Sequence, residues 1–137
     1  MTNNLKYIQG HIWVRIEKED AIVGVTDFAI ERYGNFLYSE LPEIGDEVEQ
    51  LQEIGSLETS KEVFTIQSPL SGEIVDVNEE INDANMDILN ESPYDEGWLF
   101  KIKFTDEEEI DTLLTSEEYD NYVESITYEE PEEDDIL

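Results

Sequence analysis

The sequence contains no cysteine and only one histidine, His11. Without cysteine the protein has no disulfide, no thiol nucleophile and no cysteine-ligated zinc or iron–sulfur site. A single histidine also excludes a histidine-rich metal site and a histidine relay. Residues 83–87 have the spacing of the first calcium-loop ligands but lack the glycine and the bidentate glutamate that should follow. The sequence therefore predicts no metal site.

Long apolar runs and basic residues are also scarce. No segment approaches the roughly 18 consecutive apolar residues of a membrane-spanning helix, and residues 1–10 lack the apolar region of a secretory signal. Seven Lys and Arg against 37 Asp and Glu give a formal net charge of −30. Nucleic acids and anionic membranes bind basic faces, so we expect neither as a partner. We expect a cytoplasmic, monomeric protein whose protein partners carry basic surfaces.

Length and composition predict one folded domain followed by a tail. The 137 residues, of which 39% are hydrophobic, suffice for one modest core. Every residue in 129–135 except Pro131 is acidic, and such a block repels itself and buries little surface. We therefore predict a domain over residues 1–124 and a disordered acidic tail over residues 125–137.

Short segments rich in β-branched and aromatic residues, separated by turn-forming residues, predict a mainly β protein, a small barrel or sandwich with helices at its edge. Thr26 as N-cap and Gly34 as C-cap predict a helix over residues 27–33. Further helices are predicted over 106–114 and 116–123, and a polar loop over 82–90. The predicted strands cover residues 12–16, 21–25, 36–38, 47–49, 54–58, 63–67, 73–77 and 98–104.

Lys61 is the only basic residue between Tyr33 and Phe100, and it lies between two predicted strands. One interpretation is an exposed lysine that pairs with Glu58 or Glu62, which contributes little to stability. The other is a lysine presented for modification on a rigid turn, as a carrier requires. The neighbouring carboxylates favour its charged form, so a separate enzyme must supply an activated acyl group. Glu58 and Glu62 are candidates for recognition by that enzyme or by client enzymes, with simple solvation as the alternative.

A series of short motifs, in order and with matching spacing, resembles the H protein family of the glycine cleavage system, which belongs to the lipoyl and biotinyl carrier domains. The similarity covers residues 5–123, and the motifs are residues 11–14 (HIWV), 23–27 (VGVTD), 41–45 (LPEIG), 58–61 (ETSK), 68–73 (SPLSGE), 77–78 (VN), 89–94 (LNESPY) and 97–98 (GW). The resemblance implies a flattened β-barrel of two sheets, a barrel-sandwich hybrid with a C-terminal helix. It also implies lipoate in amide linkage to Lys61. Biotin is disfavoured because Ser60 and Glu62, rather than methionines, flank this lysine.

The resemblance also implies a set of partners. A lipoate ligase or lipoyltransferase attaches the cofactor. The lipoyl arm then takes an aminomethyl group from a pyridoxal-phosphate glycine decarboxylase and presents it to a folate-dependent aminomethyltransferase. A lipoamide dehydrogenase reoxidises the dithiol. The carrier itself catalyses nothing, so the sequence predicts a non-enzymatic component with no catalytic residue.

Four positions that line the family's cleft are changed in this sequence: Gly10, Ile12, Arg32 and Thr65. Ile12 and Thr65 stand where family members carry acids, and a cationic aminomethyl group is held less well without them. Two alternatives remain open, and these changes favour the first. One is an H-like carrier for another system, holding sulfur intermediates beside heterodisulfide-reductase-like proteins or relaying lipoate. The other is an unlipoylated interaction domain.

Overall fold

The body of the protein consists of two antiparallel β-sheets. The computed structural model describes residues 5–135, and the side chains of residues 5–127. Its strands are β1 (Leu5–Ile8), β2 (Ile12–Glu17), β3 (Asp20–Val25), β4 (Tyr38–Glu40), β5 (Glu47–Val48), β6 (Glu53–Glu58), β7 (Val63–Gln67), β8 (Gly72–Val77) and β9 (Phe100–Phe104). The larger sheet has the order β1-β2-β3-β9-β8-β5 and the smaller sheet the order β4-β6-β7. The mainly β fold of two sheets is confirmed, and the described strands do not close into a barrel.

The main core is built from side chains of both sheets. Ile12 and Val14 of β2, Leu57 of β6 and Phe100 of β9 are fully buried members of one cluster. Trp13 belongs to a second cluster, together with Tyr7 and other residues on the opposite face of the larger sheet. The larger sheet therefore buries both faces near β2, which explains why residues 12–14 are continuously apolar instead of alternating.

Helix α1 (Asp27–Tyr33) is confirmed together with both of its predicted caps. The Thr26 hydroxyl accepts a hydrogen bond from the Ala29 amide at 3.3 Å. The Gly34 amide donates to the Ile30 carbonyl at 2.8 Å, with φ at +94°. Glycine adopts this backbone conformation at low cost, so the sequence signals at both helix ends were sufficient.

Helix α3 (Ser116–Asp135) packs on the outer face of the larger sheet through Tyr119. The Tyr119 ring stacks on Tyr7 at 4.6 Å, and its hydroxyl lies 2.8 Å from both Thr26 Oγ1 and His11 Nδ1. Burial is the largest cause that raises the pKa of Tyr119 above its usual value, so the phenol stays protonated and can donate. These contacts fix the first half of α3 against β1 and the start of α1.

The helical segments differ from the sequence predictions in three places. Helix α2 (Asp87–Glu91) lies within the predicted polar loop, where Leu89 is buried and the Asn90 side chain bonds the backbone of Phe36 at both N (2.9 Å) and O (3.0 Å). The helix predicted over 106–114 is a 3₁₀ helix, Glu107–Thr112. The helix predicted over 116–123 extends to Asp135, and the last two residues of the predicted tail, 136–137, lie outside the described residues. The division of the chain at residue 124 stays a prediction.

No helix among residues 5–135 is long and apolar enough to cross a membrane.

Candidate functional site

Lys61 lies in the loop that joins β6 to β7, the two neighbouring strands of the smaller sheet. Glu58 and Val63 form the last paired position, and residues 59–62 make the turn. The next pair inward, Leu57 with Phe64, is buried in the main core. The hairpin is therefore anchored firmly just below its tip, while Lys61 itself is exposed.

Hydrogen bonds from Thr59 fix the backbone of this turn. The Thr59 hydroxyl oxygen accepts from the amides of Lys61 (3.1 Å) and Glu62 (3.0 Å). The Thr59 amide in turn donates to the Glu62 carbonyl at 2.9 Å. Thr59 is not among the residues predicted from the sequence to hold this turn. Its position two residues before Lys61 is the signal that would have identified this hydroxyl-to-backbone turn.

We expect Thr59→Ala to loosen the turn around Lys61. The change leaves two amides without their acceptor, and a hydrogen bond of this kind contributes about 1 kcal/mol, or about fivefold in local opening. The measurement is amide hydrogen exchange at Lys61 and Glu62, which should accelerate several-fold. Thr59→Ser is the matched control, because it keeps the hydroxyl and should exchange at the wild-type rate. Equal exchange in all three proteins would show that the strands alone hold the turn.

The Lys61 side chain is not engaged by its acidic neighbours. Lys61 takes part in no ion pair within the described part of the chain, where basic side chains pair instead at Arg15–Glu17, Lys101–Asp76 and Lys103–Glu19. Glu62 is exposed and Glu58 is half-buried. The interpretation of Lys61 as a partner in a surface ion pair therefore finds no support, and its amine is accessible to another protein.

The predicted cleft residues lie in different parts of the fold. Ile12 is fully buried in the main core, and Arg32 is exposed in the last turn of α1. Thr65 is exposed on β7, four residues from Lys61, which is about 13 Å of extended chain. Gly10 lies in the turn between β1 and β2, where an added Cβ would lie 2.7 Å from Gln67 Oε1. Thr65 alone shares the hairpin of Lys61, and the cleft assignment of the four residues stays a prediction.

Gly10 borders a surface cavity of about 500 Å³. Gln67, at the end of β7 away from Lys61, also lines it. The remaining lining comes from the end of β1, residues 50–51 and the segment that follows the 3₁₀ helix. None of the cavity's lining residues carries a charge, so it offers amide and apolar contacts instead of an ion-binding site.

An exposed lysine at the tip of a hairpin in a two-sheet β fold is the arrangement expected of a carrier domain. Comparison with known proteins gives the family. The family model described as "Glycine cleavage H-protein" matches residues 5–126. The chain therefore belongs to the glycine cleavage H-protein family, which confirms the resemblance seen in the sequence. This membership supports a lipoyl carrier function in the glycine cleavage system.

Individual relatives agree with this assignment. A glycine cleavage system H protein from Geobacillus sp. (strain WCH70) is 43% identical over 119 residues, covering 87% of this chain and 93% of the relative. The same protein from Halothermothrix orenii is 40% identical over 123 residues, covering 90% and 95%. The crystal structure of a glycine cleavage system H protein from Mycobacterium marinum matches with a TM-score of 0.78 at 31% identity, covering 87% of this chain and 95% of that one.

Proposed function

We propose that lipoate is attached to Lys61 Nζ through an amide bond, and that the protein is the non-catalytic lipoyl carrier of a cytoplasmic glycine cleavage system. The observation that carries this proposal is the exposed amine of Lys61, which forms no ion pair with any described residue, on a turn fixed by Thr59. A carrier needs an immobile attachment point and a free arm, and the hairpin supplies the first.

The residues around Lys61 fit such a group. The ammonium must lose a proton to a base of the attaching enzyme before Nζ can attack the activated lipoyl carboxyl carbon and displace its leaving group. Among the described residues, Lys61 has no ion pair that would have to break first. Leu57 and Phe64 hold the strands in the core meanwhile. When attached, lipoate supplies a disulfide that can be opened by a transferred group and later restored from the dithiol.

The proposed partners follow from the same function. A lipoate ligase or lipoyltransferase acts first. A pyridoxal-phosphate glycine decarboxylase, a folate-dependent aminomethyltransferase and a lipoamide dehydrogenase then meet the loaded arm in turn. The protein acts as a monomer, and its net charge of −30 steers basic partner surfaces toward it. Glu58 and Glu62 are the acidic residues closest in sequence to the attachment point and serve this recognition.

Gly10, Ile12, Arg32 and Thr65 carry the proposed adaptation of the cleft to its cargo. Ile12 is fully buried, so it acts through core packing and not through contact with the cargo. Thr65 offers a hydroxyl instead of a carboxylate within reach of the arm. The first alternative is a carrier for another system, which holds sulfur intermediates or relays lipoate. The second alternative is an unlipoylated interaction domain. An activity measurement must separate these two from the glycine cleavage function.

We expect the lipoylated protein to support glycine–bicarbonate exchange by a purified glycine decarboxylase. The exchange requires the arm to take up the aminomethyl group, so the unlipoylated protein should give only background. Exchange saturating with carrier concentration would support the glycine cleavage function. Background exchange by a protein that mass spectrometry shows to be fully lipoylated would instead favour a carrier for another system. Failure of lipoylation itself would leave the interaction domain.

A further inference from the structure

Apolar side chains are exposed beside the Lys61 hairpin. Among the described residues, five large hydrophobic side chains are exposed, and Leu37 (43%), Tyr38 (51%) and Val63 (58%) are three of them. The other two, Ile44 and Leu51, lie outside β4, β6 and β7. Scattered apolar residues are ordinary on a protein surface, but a group of them around one site indicates contact with a partner.

Strand register places two of these side chains on one face. Tyr38 of β4 pairs with Glu58 of β6, and Glu58 pairs with Val63 of β7. Directly opposed residues of antiparallel strands point to the same side of a sheet. The neighbouring pair, Leu57 with Phe64, is buried on the other side. Tyr38, Glu58 and Val63 therefore form a row across the outer face, and this row is the last one before the turn that carries Lys61.

Next to the row, the Leu37 amide donates to the Glu58 carbonyl at 2.7 Å and ties the start of β4 to the end of β6. We call Tyr38, Glu58 and Val63 the hairpin face. The charged side chains of β4, β6 and β7 are all acidic, because Lys61, in the turn, is the only basic residue between Tyr33 and Phe100. A complementary surface therefore combines an apolar centre with a rim of Lys and Arg side chains.

We propose that the hairpin face is the docking surface for the enzyme that acylates Lys61, and that this enzyme contacts it with an apolar patch rimmed by basic side chains. The inference rests on the proposed lipoylation of Lys61. The length of the side chain at position 61 indicates whether the attaching enzyme or a client enzyme must contact the hairpin face. The bare lysine extends only about 6 Å from Cα to Nζ, whereas a lipoyl-lysine arm extends about 15 Å. The attaching enzyme must therefore cover the neighbouring row, and a client need not.

The test compares lipoylation kinetics of variants with a purified lipoate ligase, lipoate and ATP. We expect Tyr38→Ser and Val63→Ser each to lower kcat/KM for the carrier about tenfold, mainly through KM, as loss of an interface anchor does. Ile44→Ser is the matched control, because Ile44 is 61% exposed in the turn beside β8 and should leave kcat/KM unchanged. Thermal unfolding should be unchanged in all three, since none of these side chains is in the core.

The outcomes separate the two proposals. A wild-type protein that accepts one lipoyl group, with kcat/KM equal in all variants, would overturn the docking surface and leave the carrier function intact. A wild-type protein that accepts none would overturn the carrier function. Unaltered acylation of Tyr38→Ser, combined with loss of glycine exchange by the lipoylated variant, would assign the face to a client and overturn the proposed occupant.

Discussion

Lys61→Arg is expected to abolish addition of the lipoyl group while leaving the fold unchanged. Amide formation needs a neutral primary amine, and a guanidinium stays protonated and does not supply one. Arginine keeps the positive charge at an exposed position, and Lys61 has no ion pair in the described chain for the substitution to break. The measurement is intact mass after incubation with a lipoate ligase, lipoate and ATP, and it should show one addition in the wild type and none in the variant.

Lys18→Arg is the matched control for this experiment. Lys18 is also an exposed lysine in a hairpin turn, between β2 and β3, with φ at +60°. The Lys18→Arg substitution should leave lipoylation intact, because the ligase must recognise the surroundings of Lys61 and not every exposed lysine in a turn. An addition that persists in Lys61→Arg and disappears in Lys18→Arg would place the attachment site elsewhere. Unfolding of Lys61→Arg would show that the lysine is structural.

The hairpin of Lys61 could be predicted because its signals are local. Residues 63–67 alternate between apolar and polar side chains, and turn-tolerant residues precede them. Helix α1 could be predicted for the same reason, since its caps, Thr26 and Gly34, lie directly beside it in sequence. In these places backbone preference and burial favour the same structure, so a short stretch of sequence is enough.

The rest depends on contacts between distant segments. Helix α2 forms where Asn90 bonds the backbone of Phe36, 54 residues away in sequence, and no local pattern shows this. The hairpin face exists only through the register of β4 against β6. Ile12 illustrates a different difficulty: with both faces of β2 buried, residues 12–14 lack the alternation that would tell which side chain faces the core.

Gly24→Ala should destabilise the protein severely, by about 3 kcal/mol, because overpacking a well-filled site forces side chains and backbone to shift. A Cβ at Gly24 would lie 2.4 Å from a Trp13 ring carbon. The indole cannot swing away, since Trp13 is fully buried and its Nε1 donates to the Pro93 carbonyl at 3.1 Å. Trp13 and Gly24 are paired across β2 and β3, so the strain falls on the middle of the larger sheet. Urea-induced unfolding measures the loss as a lower midpoint.

Gly10→Ala separates steric conflict from the general effect of replacing glycine. An added Cβ there would also come close to another atom, Gln67 Oε1 at 2.7 Å, but that atom ends a flexible side chain. Gln67 can rotate, and its only cost is a 3.4 Å hydrogen bond to the Leu51 carbonyl. We therefore expect Gly10→Ala to change the free energy of unfolding by less than about 1 kcal/mol. Similar losses in both variants would mean that the Trp13 site adjusts as readily as the half-buried turn at Gly10, and that the packing of the second cluster does not hold the indole in place.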